Sequence, residues 1–219
     1  MPFQCLPNSK IDVPLKDLSH LYNHADPRAY YKMALQLNYK TPRYVQEVAK
    51  KCCMNIQIQA NLSKTWILDI GCGFAVNAAG LKHRIDPLDL YAYYHRSTFS
   101  NQSINSLYAS DRHYFNGLKK TSLCIAGIEV ASNALNYGLK TGLLDEGFCI
   151  DLSKTSPCEK LTSILNQCQV IIESGTPIEV LPYVIDNLLA NCTADVKPKI
   201  VTAPPCFADI SVYKEILKK

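Results

Sequence analysis

The sequence predicts an α/β protein with a doubly wound, mostly parallel sheet. One observation is the apolar run at residues 66–70, broken only by Asp69, which is followed by a glycine turn and an alanine-rich stretch. A short apolar run bounded by glycine is typical of a strand buried on both faces. The other observation is that four further apolar runs come later, separated by helical patterns. Strands that alternate with helices predict parallel pairing in one sheet.

Length and composition indicate one globular domain. The 219 residues are 47% hydrophobic and 19% charged, which is ordinary for a chain with a sizeable core. We predict a single domain in two parts. Residues 1–60 form an N-terminal helical cap segment, and residues 61–219 form the α/β domain.

The charge and the cysteines narrow the class of protein. A formal net charge of +4 without a basic stripe argues against nucleic-acid binding. We expect no signal peptide, and no segment approaches the roughly 20 apolar residues of a membrane span. The ten cysteines form no C-x-x-C pair and no metal-binding spacing. We therefore predict reduced cysteines, no metal site and a cytoplasmic location.

The first helices are predicted before the first strand. Asp26 is a good N-cap and Pro27 suits the first helical position, so one helix is expected to begin there. A second helix is expected at about residues 41–53, where apolar side chains recur at helical spacing.

Residues 84–120 are predicted to form a helical insertion. Asp86 and Asp111 look like two helix starts, and a structureless loop of this length is rare inside a compact domain. The segment is rich in aromatic and histidine side chains. Two interpretations stay open. The insertion covers the substrate side of a pocket with aromatic walls, or it is a helical hairpin whose aromatic rings form a satellite core.

The second half of the chain continues the alternation of strands and helices. Strands are predicted at residues 122–129, 147–152, 169–177 (with the exit loop) and 198–203. Helices are predicted at residues 131–142, 157–167, 178–191 and 209–219.

The turn after the first strand carries the most informative motif. Residues 69–75 read Asp-Ile-Gly-Cys-Gly-Phe-Ala. Glycines let the backbone approach a ligand, and the next helix offers unpaired N–H groups. The dinucleotide fingerprint would need a glycine at Val76. The motif instead resembles that of the class I S-adenosylmethionine (SAM)-dependent methyltransferases, an acid followed by G-x-G-x-G, with Ala75 in place of the third glycine.

The resemblance covers about residues 66–175 and implies a SAM site. In that family an acid at the end of the second strand binds the ribose hydroxyls. Glu129 holds this position, 56 residues after Gly73 because of the insertion. Asp151 matches the acid beside the adenine amino group. The implied cofactor-binding residues are Asp69, Gly71, Cys72, Gly73, Asn77, Glu129, Val130, Asp151, Leu152, Glu173 and Ser174.

The resemblance also implies methyl transfer from SAM, with S-adenosylhomocysteine as the product. An acceptor that carries a proton needs a base, and histidine suits neutral pH. The candidates for catalysis are His24, His95, His113 and Glu173. The candidates for substrate binding are Tyr30, Tyr31, Tyr94 and Arg112. For the tyrosines, simple packing of the helices onto the sheet stays open as the alternative.

The resulting hypothesis is an enzyme that methylates an O or N atom of a small molecule. Residues 173–177 lack the Asn/Asp-Pro-Pro-Tyr/Phe motif of enzymes that methylate nucleobase or amide nitrogens. The alternatives are a SAM-binding subunit without catalysis or dependent on a partner, a protein or RNA methyltransferase, and an NAD-binding oxidoreductase. The family adds two strands after the fifth, for which this chain leaves no room. We therefore expect an open sheet edge that a homodimer covers, or else a shortened chain.

Overall fold

The computed structural model describes residues 19–60, 63–96, 101–118, 121–177 and 180–203, together with Ser211 and Glu215. Five strands lie in this part of the chain: β1 (Thr65–Ile70), β2 (Leu123–Glu129), β3 (Glu146–Cys149), β4 (Cys168–Glu173) and β5 (Lys199–Thr202). The helices are α1 (Ser19–Tyr22), α2 (Arg28–Gln36), α3 (Thr41–Ala60), α4 (Val76–His83), α5 (Pro87–Tyr93), α6 (Ile104–Gly117), α7 (Ser132–Lys140), α8 (Glu159–Gln167) and α9 (Leu181–Ala190).

The five strands form one parallel sheet in the order β3-β2-β1-β4-β5. The predicted α/β class and parallel pairing are therefore confirmed. Ile70 at the end of β1 lies beside Ile128 on one side and Glu173 on the other. The strand order changes direction between β1 and β4. In such Rossmann-like sheets, ligands bind in the crevice at the carboxyl ends of the strands around this point.

Helices cover both faces of the sheet. Successive side chains of β1 point to opposite faces, so Ile67 joins the core beneath α2 to α7, whereas Leu68 joins the core beneath α8 and α9. Burial of the strands on both faces explains why their sequences are nearly continuous apolar runs. Asp69 shares the face of Ile67 and is completely buried.

Several predicted boundaries shift. Helix α3 continues to Ala60 instead of ending near residue 53. Strand β3 ends at Cys149, so Asp151 and Leu152 lie in the turn that follows. The predicted helix at residues 209–219 lies outside the described residues apart from Ser211 and Glu215. The prediction that no strand follows the fifth one also concerns this part of the chain, which lies outside the described residues.

The interpretation of Asp111 as a helix start is wrong. Helix α6 begins earlier, at Ile104, because the Ser103 hydroxyl accepts the N–H of Ser106 and caps it. Asp111 lies in the middle of this helix and is buried. The first helix also begins one residue later than predicted, because α2 starts at Arg28 and its N-cap is Pro27 instead of Asp26. The Asp26 carboxylate nevertheless accepts the N–H of Arg28 at 3.0 Å.

None of the helices in the described ranges combines the length and the apolar character needed to cross a membrane. The eight cysteines within those ranges are free thiols. Four of them are buried, and Cys149 and Cys158 are exposed.

Candidate functional site

The glycine turn after β1 has a backbone that only small residues fit. Gly71 and Gly73 adopt φ angles of 62° and 50°, in the left-handed region. A Cβ on Gly71 would lie 2.6 Å from the Thr176 hydroxyl, and one on Gly73 would lie 2.8 Å from the ring of Tyr22. Both glycines are therefore required by conformation and by close approach.

Ala75, in the place of the third glycine, shares the left-handed conformation. Its φ is 60° and its ψ is 36°, and α4 begins at the next residue. A residue with a Cβ is disfavoured there by about 1–2 kcal/mol. The departure from the G-x-G-x-G pattern thus strains the backbone just before the helix N-terminus.

Glu129 joins the end of β2 to the glycine turn. Its Oε2 accepts the N–H of Gly73 at 2.9 Å, across 56 residues of chain. Its Oε1 accepts the N–H groups of Val130 and Ala131 at 2.8 and 3.0 Å. The next side chain, Val130, is 64% exposed although it is apolar. A carboxylate and an exposed apolar side chain therefore stand side by side at the crevice.

Asp69, Asn77 and Ser174 form a polar cluster at the carboxyl ends of β1 and β4. The Asn77 amide donates to Asp69 Oδ1 at 3.0 Å and to the Ser174 hydroxyl at 2.9 Å. Asp69 Oδ2 and Asn77 Oδ1 are buried, and neither has a hydrogen-bond partner among the described residues. Burial raises the pKa of Asp69 to about 8, because desolvation disfavours its charged form.

Glu173 orders the loop after β4. Its Oε1 accepts the N–H groups of Gly175 and of Thr176, the latter at 2.6 Å. Its Oε2 accepts the Thr202 hydroxyl of β5 at 2.6 Å. Since one oxygen holds the loop and the other binds β5, the side chain has a structural task at the position where a base is predicted.

Tyrosines from the N-terminal segment cover the glycine turn. The ring of Tyr22 lies against Gly73 and stacks on Phe74 with centroids 6.0 Å apart. Burial raises the pKa of Tyr22 to about 12. Tyr30 and Tyr31 are buried behind it, and the Tyr31 hydroxyl donates to the Phe74 carbonyl at 3.1 Å. The cap segment is thus packed on the turn that the motif identifies.

The aromatic side chains of the insertion belong mainly to the core. Tyr94 stacks on Tyr31 with ring centroids 4.1 Å apart. The Tyr94 hydroxyl donates to Asp111 Oδ2 at 2.9 Å, and the Tyr137 hydroxyl of α7 donates to the same oxygen at 3.2 Å. These contacts favour packing over a pocket wall for the aromatic rings of the insertion. The satellite core that this interpretation predicts is not seen in the described residues, because the rings join the principal core.

The remaining predicted residues lie apart from this centre or bind their own neighbours. Leu152 is buried in the core beneath α8 and α9. The Asp151 carboxylate accepts the Ser153 N–H and the Lys154 ammonium, which lowers the pKa of Asp151. Four candidates have exposed side chains: His24, His95, Arg112 and His113. None of these three histidines is enclosed in a pocket that would position it as a base.

Sequence reasoning missed three residues near the site. Tyr22 precedes the first helix that the sequence predicts, and the Tyr39 hydroxyl donates to the Ser174 carbonyl. Tyr137 lies on α7, inside the helix predicted at residues 131–142. Tyrosines at ordinary helical spacing give no signal that separates packing from a role at the site. The contact partners of these rings are set by tertiary structure alone.

Comparison with models of known protein families and with curated proteins finds no match for this chain. Within the described ranges, no group of three or more His, Cys, Asp or Glu side chains is placed to hold a metal ion. The function of the site must therefore be inferred from its geometry. The site offers a glycine turn, a carboxylate, an exposed apolar side chain and two buried oxygens, Asp69 Oδ2 and Asn77 Oδ1, that have no partner in the described part of the chain.

Proposed function

We propose that this protein is a SAM-dependent methyltransferase that acts on an O or N atom of a small molecule. The observation that carries the proposal is the contact between Glu129 and the glycine turn. It joins an acid at the end of β2 to the G-x-G segment at the end of β1. This is the edge of the sheet at which Rossmann-like proteins bind nucleosides.

The residues present fit the chemical groups of SAM. The Glu129 carboxylate has about four lone-pair sites, of which three accept N–H groups, so one site remains to accept a ribose hydroxyl. The exposed side chain of Val130 suits one face of an adenine ring. An ammonium group suits Asn77 Oδ1, a buried acceptor without a partner among the described residues, and its charge would favour the ionised form of the neighbouring Asp69.

The reaction that SAM supplies is displacement at its sulfonium methyl group. The lone pair of the acceptor forms the new bond to the methyl carbon, and the carbon–sulfur bond breaks with its electrons passing to sulfur. The product is S-adenosylhomocysteine, and the acceptor proton leaves to water or to a base. Because the three candidate histidines are exposed, we expect the protein to act chiefly by positioning and by excluding water.

Calorimetric titration tests the cofactor. We expect micromolar binding of SAM and S-adenosylhomocysteine and no binding of NAD. Glu129→Gln removes the charged acceptor, and we expect it to weaken SAM binding by about 10- to 100-fold. Glu159→Gln, an exposed acid on α8, is the matched control and should leave the affinity unchanged. Binding of NAD alone, or of none of the three, would overturn the proposal.

A second assay separates an enzyme from a binding subunit. The protein is mixed with SAM and a dialysable metabolite extract, and S-adenosylhomocysteine is measured. Its release above a control without protein supports a small-molecule acceptor. SAM binding without release, also after protein or RNA is added, would favour a non-catalytic subunit.

A further inference from the structure

The outer face of α3 carries an unusual amount of exposed apolar surface. Tyr44, Val48, Met54 and Ile58 are exposed by 60%, 49%, 60% and 77%. Four of the ten large apolar side chains that are exposed in the described ranges thus lie on one helix. We call these four residues the α3 stripe. Several exposed apolar side chains on one face of a helix favour a contact with another molecule.

The α3 stripe is symmetric about Lys51. Its members lie three and seven residues before and after this position. At 3.6 residues per turn, all four fall within an arc of about 120° centred on Lys51. The opposite side of the helix is buried against α4, β4 and β5. The stripe therefore points directly away from the body of the protein.

This symmetry makes the stripe complementary to itself. If two α3 helices pack antiparallel about a two-fold axis at Lys51, Tyr44 of one copy lies at the height of Ile58 of the other. Val48 and Met54 pair in the same way. A closed two-fold interface needs such a self-complementary patch. If residue i of one copy contacts residue j of the other, then residue j of the first copy also contacts residue i of the second. A different partner protein would have no reason to require the symmetry.

The charges on the same face agree with this arrangement. Glu47 and Lys51 are exposed within the arc, and Glu47 also forms an ion pair with Arg43 of its own helix at 3.5 Å, which leaves its second carboxylate oxygen open. In the antiparallel pair, Glu47 of one copy lies about one helical turn from Lys51 of the other, and the two-fold axis creates this pair twice. These pairs offset the approach of the two Lys51 side chains at the axis.

We propose that the protein forms a homodimer in which a second copy of this chain packs on the α3 stripe. The proposal is independent of SAM binding, because it uses only the outer face of α3. It differs from the homodimer that the sequence predicts, in which the second copy covers the edge of the sheet. The two interfaces respond to different substitutions.

Sedimentation velocity over a range of micromolar concentrations tests the dimer. We expect the wild type to be dimeric at the upper end of the range. Ile58→Glu and Val48→Glu should each raise the dissociation constant by about tenfold or more, because every change occurs twice in the interface. Tyr183→Glu, a change of an equally exposed side chain on α9, should leave it unchanged. Circular dichroism verifies that each variant is folded.

Charge reversal provides the sharper test. Glu47→Lys and Lys51→Glu should each weaken self-association, because they place like charges together. An equimolar mixture of the two variants should form a heterodimer more tightly than either variant alone associates. A wild type that stays monomeric, a dimer that tolerates Ile58→Glu, or a mixture without gain would each overturn the proposal.

Discussion

At the scale of single residues, Asp69 combines complete burial with an oxygen that has no partner in the described part of the chain. Its pKa rises from 3.8 to about 8, chiefly through desolvation. The folded protein therefore binds a proton that the unfolded chain releases between these values. The contribution of the protonated Asp69 to stability is fully present below about pH 4 and is lost as the pH rises through about 8.

We predict that the free energy of unfolding of the wild type falls relative to Asp69→Asn as the pH rises from about 5 to 8. The slope is at most about 1.4 kcal/mol per pH unit, the value for one proton. Asparagine keeps an acceptor for the Asn77 amide but does not ionise. Urea denaturation of both proteins at several pH values measures the difference. A difference that does not change with pH would show that Asp69 is ionised throughout.

The same residue scale shows how far a sequence predicts a site. Gly71, Gly73 and Glu129 are predictable because a left-handed turn and a strand-ending acid are local features of the chain. Asp111 is not, because nothing in its neighbours indicates burial. Its hydrogen-bond partners are Tyr94, which follows α5, and Tyr137 on α7, and both are distant from it in sequence. Local rules make an aspartate a cap, and tertiary contacts override them here.

At the scale of elements, the glycine turn and α1 form one unit. Tyr22 occupies the space that a side chain on Gly73 would enter. Sequence patterns predict the strand, the turn and α4, since each has its own periodicity or glycine signal. They do not predict that the short helix α1 lies on the turn. Packing between segments 50 residues apart leaves no local pattern.

We predict that Gly73→Ala lowers the free energy of unfolding by about 1–3 kcal/mol through backbone strain and contact with Tyr22. In a Tyr22→Ala background only the strain should remain, about 1 kcal/mol. A double-mutant cycle by urea denaturation measures this coupling. Gly117→Ala is the matched control, because no atom lies within 4 Å of its added Cβ. Equal losses in both backgrounds would mean that Tyr22 moves aside freely.

At the scale of the whole molecule, one buried carboxylate connects three parts of the fold. Asp111 on α6 accepts hydrogen bonds from Tyr94, just after α5, and from Tyr137 on α7. The two tyrosine hydroxyls also contact each other. Arg28 of α2 acts on Asp111 through its charge. The alternating strands and helices predict the layers of the molecule, but this link between insertion, cap segment and sheet layer exists only in three dimensions.

The pKa of Asp111 is raised from 3.8 to about 6, first by desolvation, which outweighs the tyrosine hydrogen bonds and the Arg28 charge. The folded state thus holds the proton more tightly than the unfolded chain. The contribution of the protonated Asp111 to stability is fully present below about pH 4 and is lost as the pH rises through about 6. Above that range the fold contains a buried ionised carboxylate with one partnerless oxygen in the described ranges.

We predict that the wild type loses up to about 3 kcal/mol relative to Asp111→Asn between about pH 4 and pH 7. Above about pH 7 the difference should stay constant, because Asp111 is then fully ionised. Asp69 titrates in both proteins, so the comparison isolates Asp111. Chemical denaturation across this range measures the difference, and Asp195→Asn, an exposed aspartate after α9, should give none. A difference that is constant from about pH 4 would mean that the Asp111 carboxylate is in contact with water. The insertion would then not pack on the core at this position.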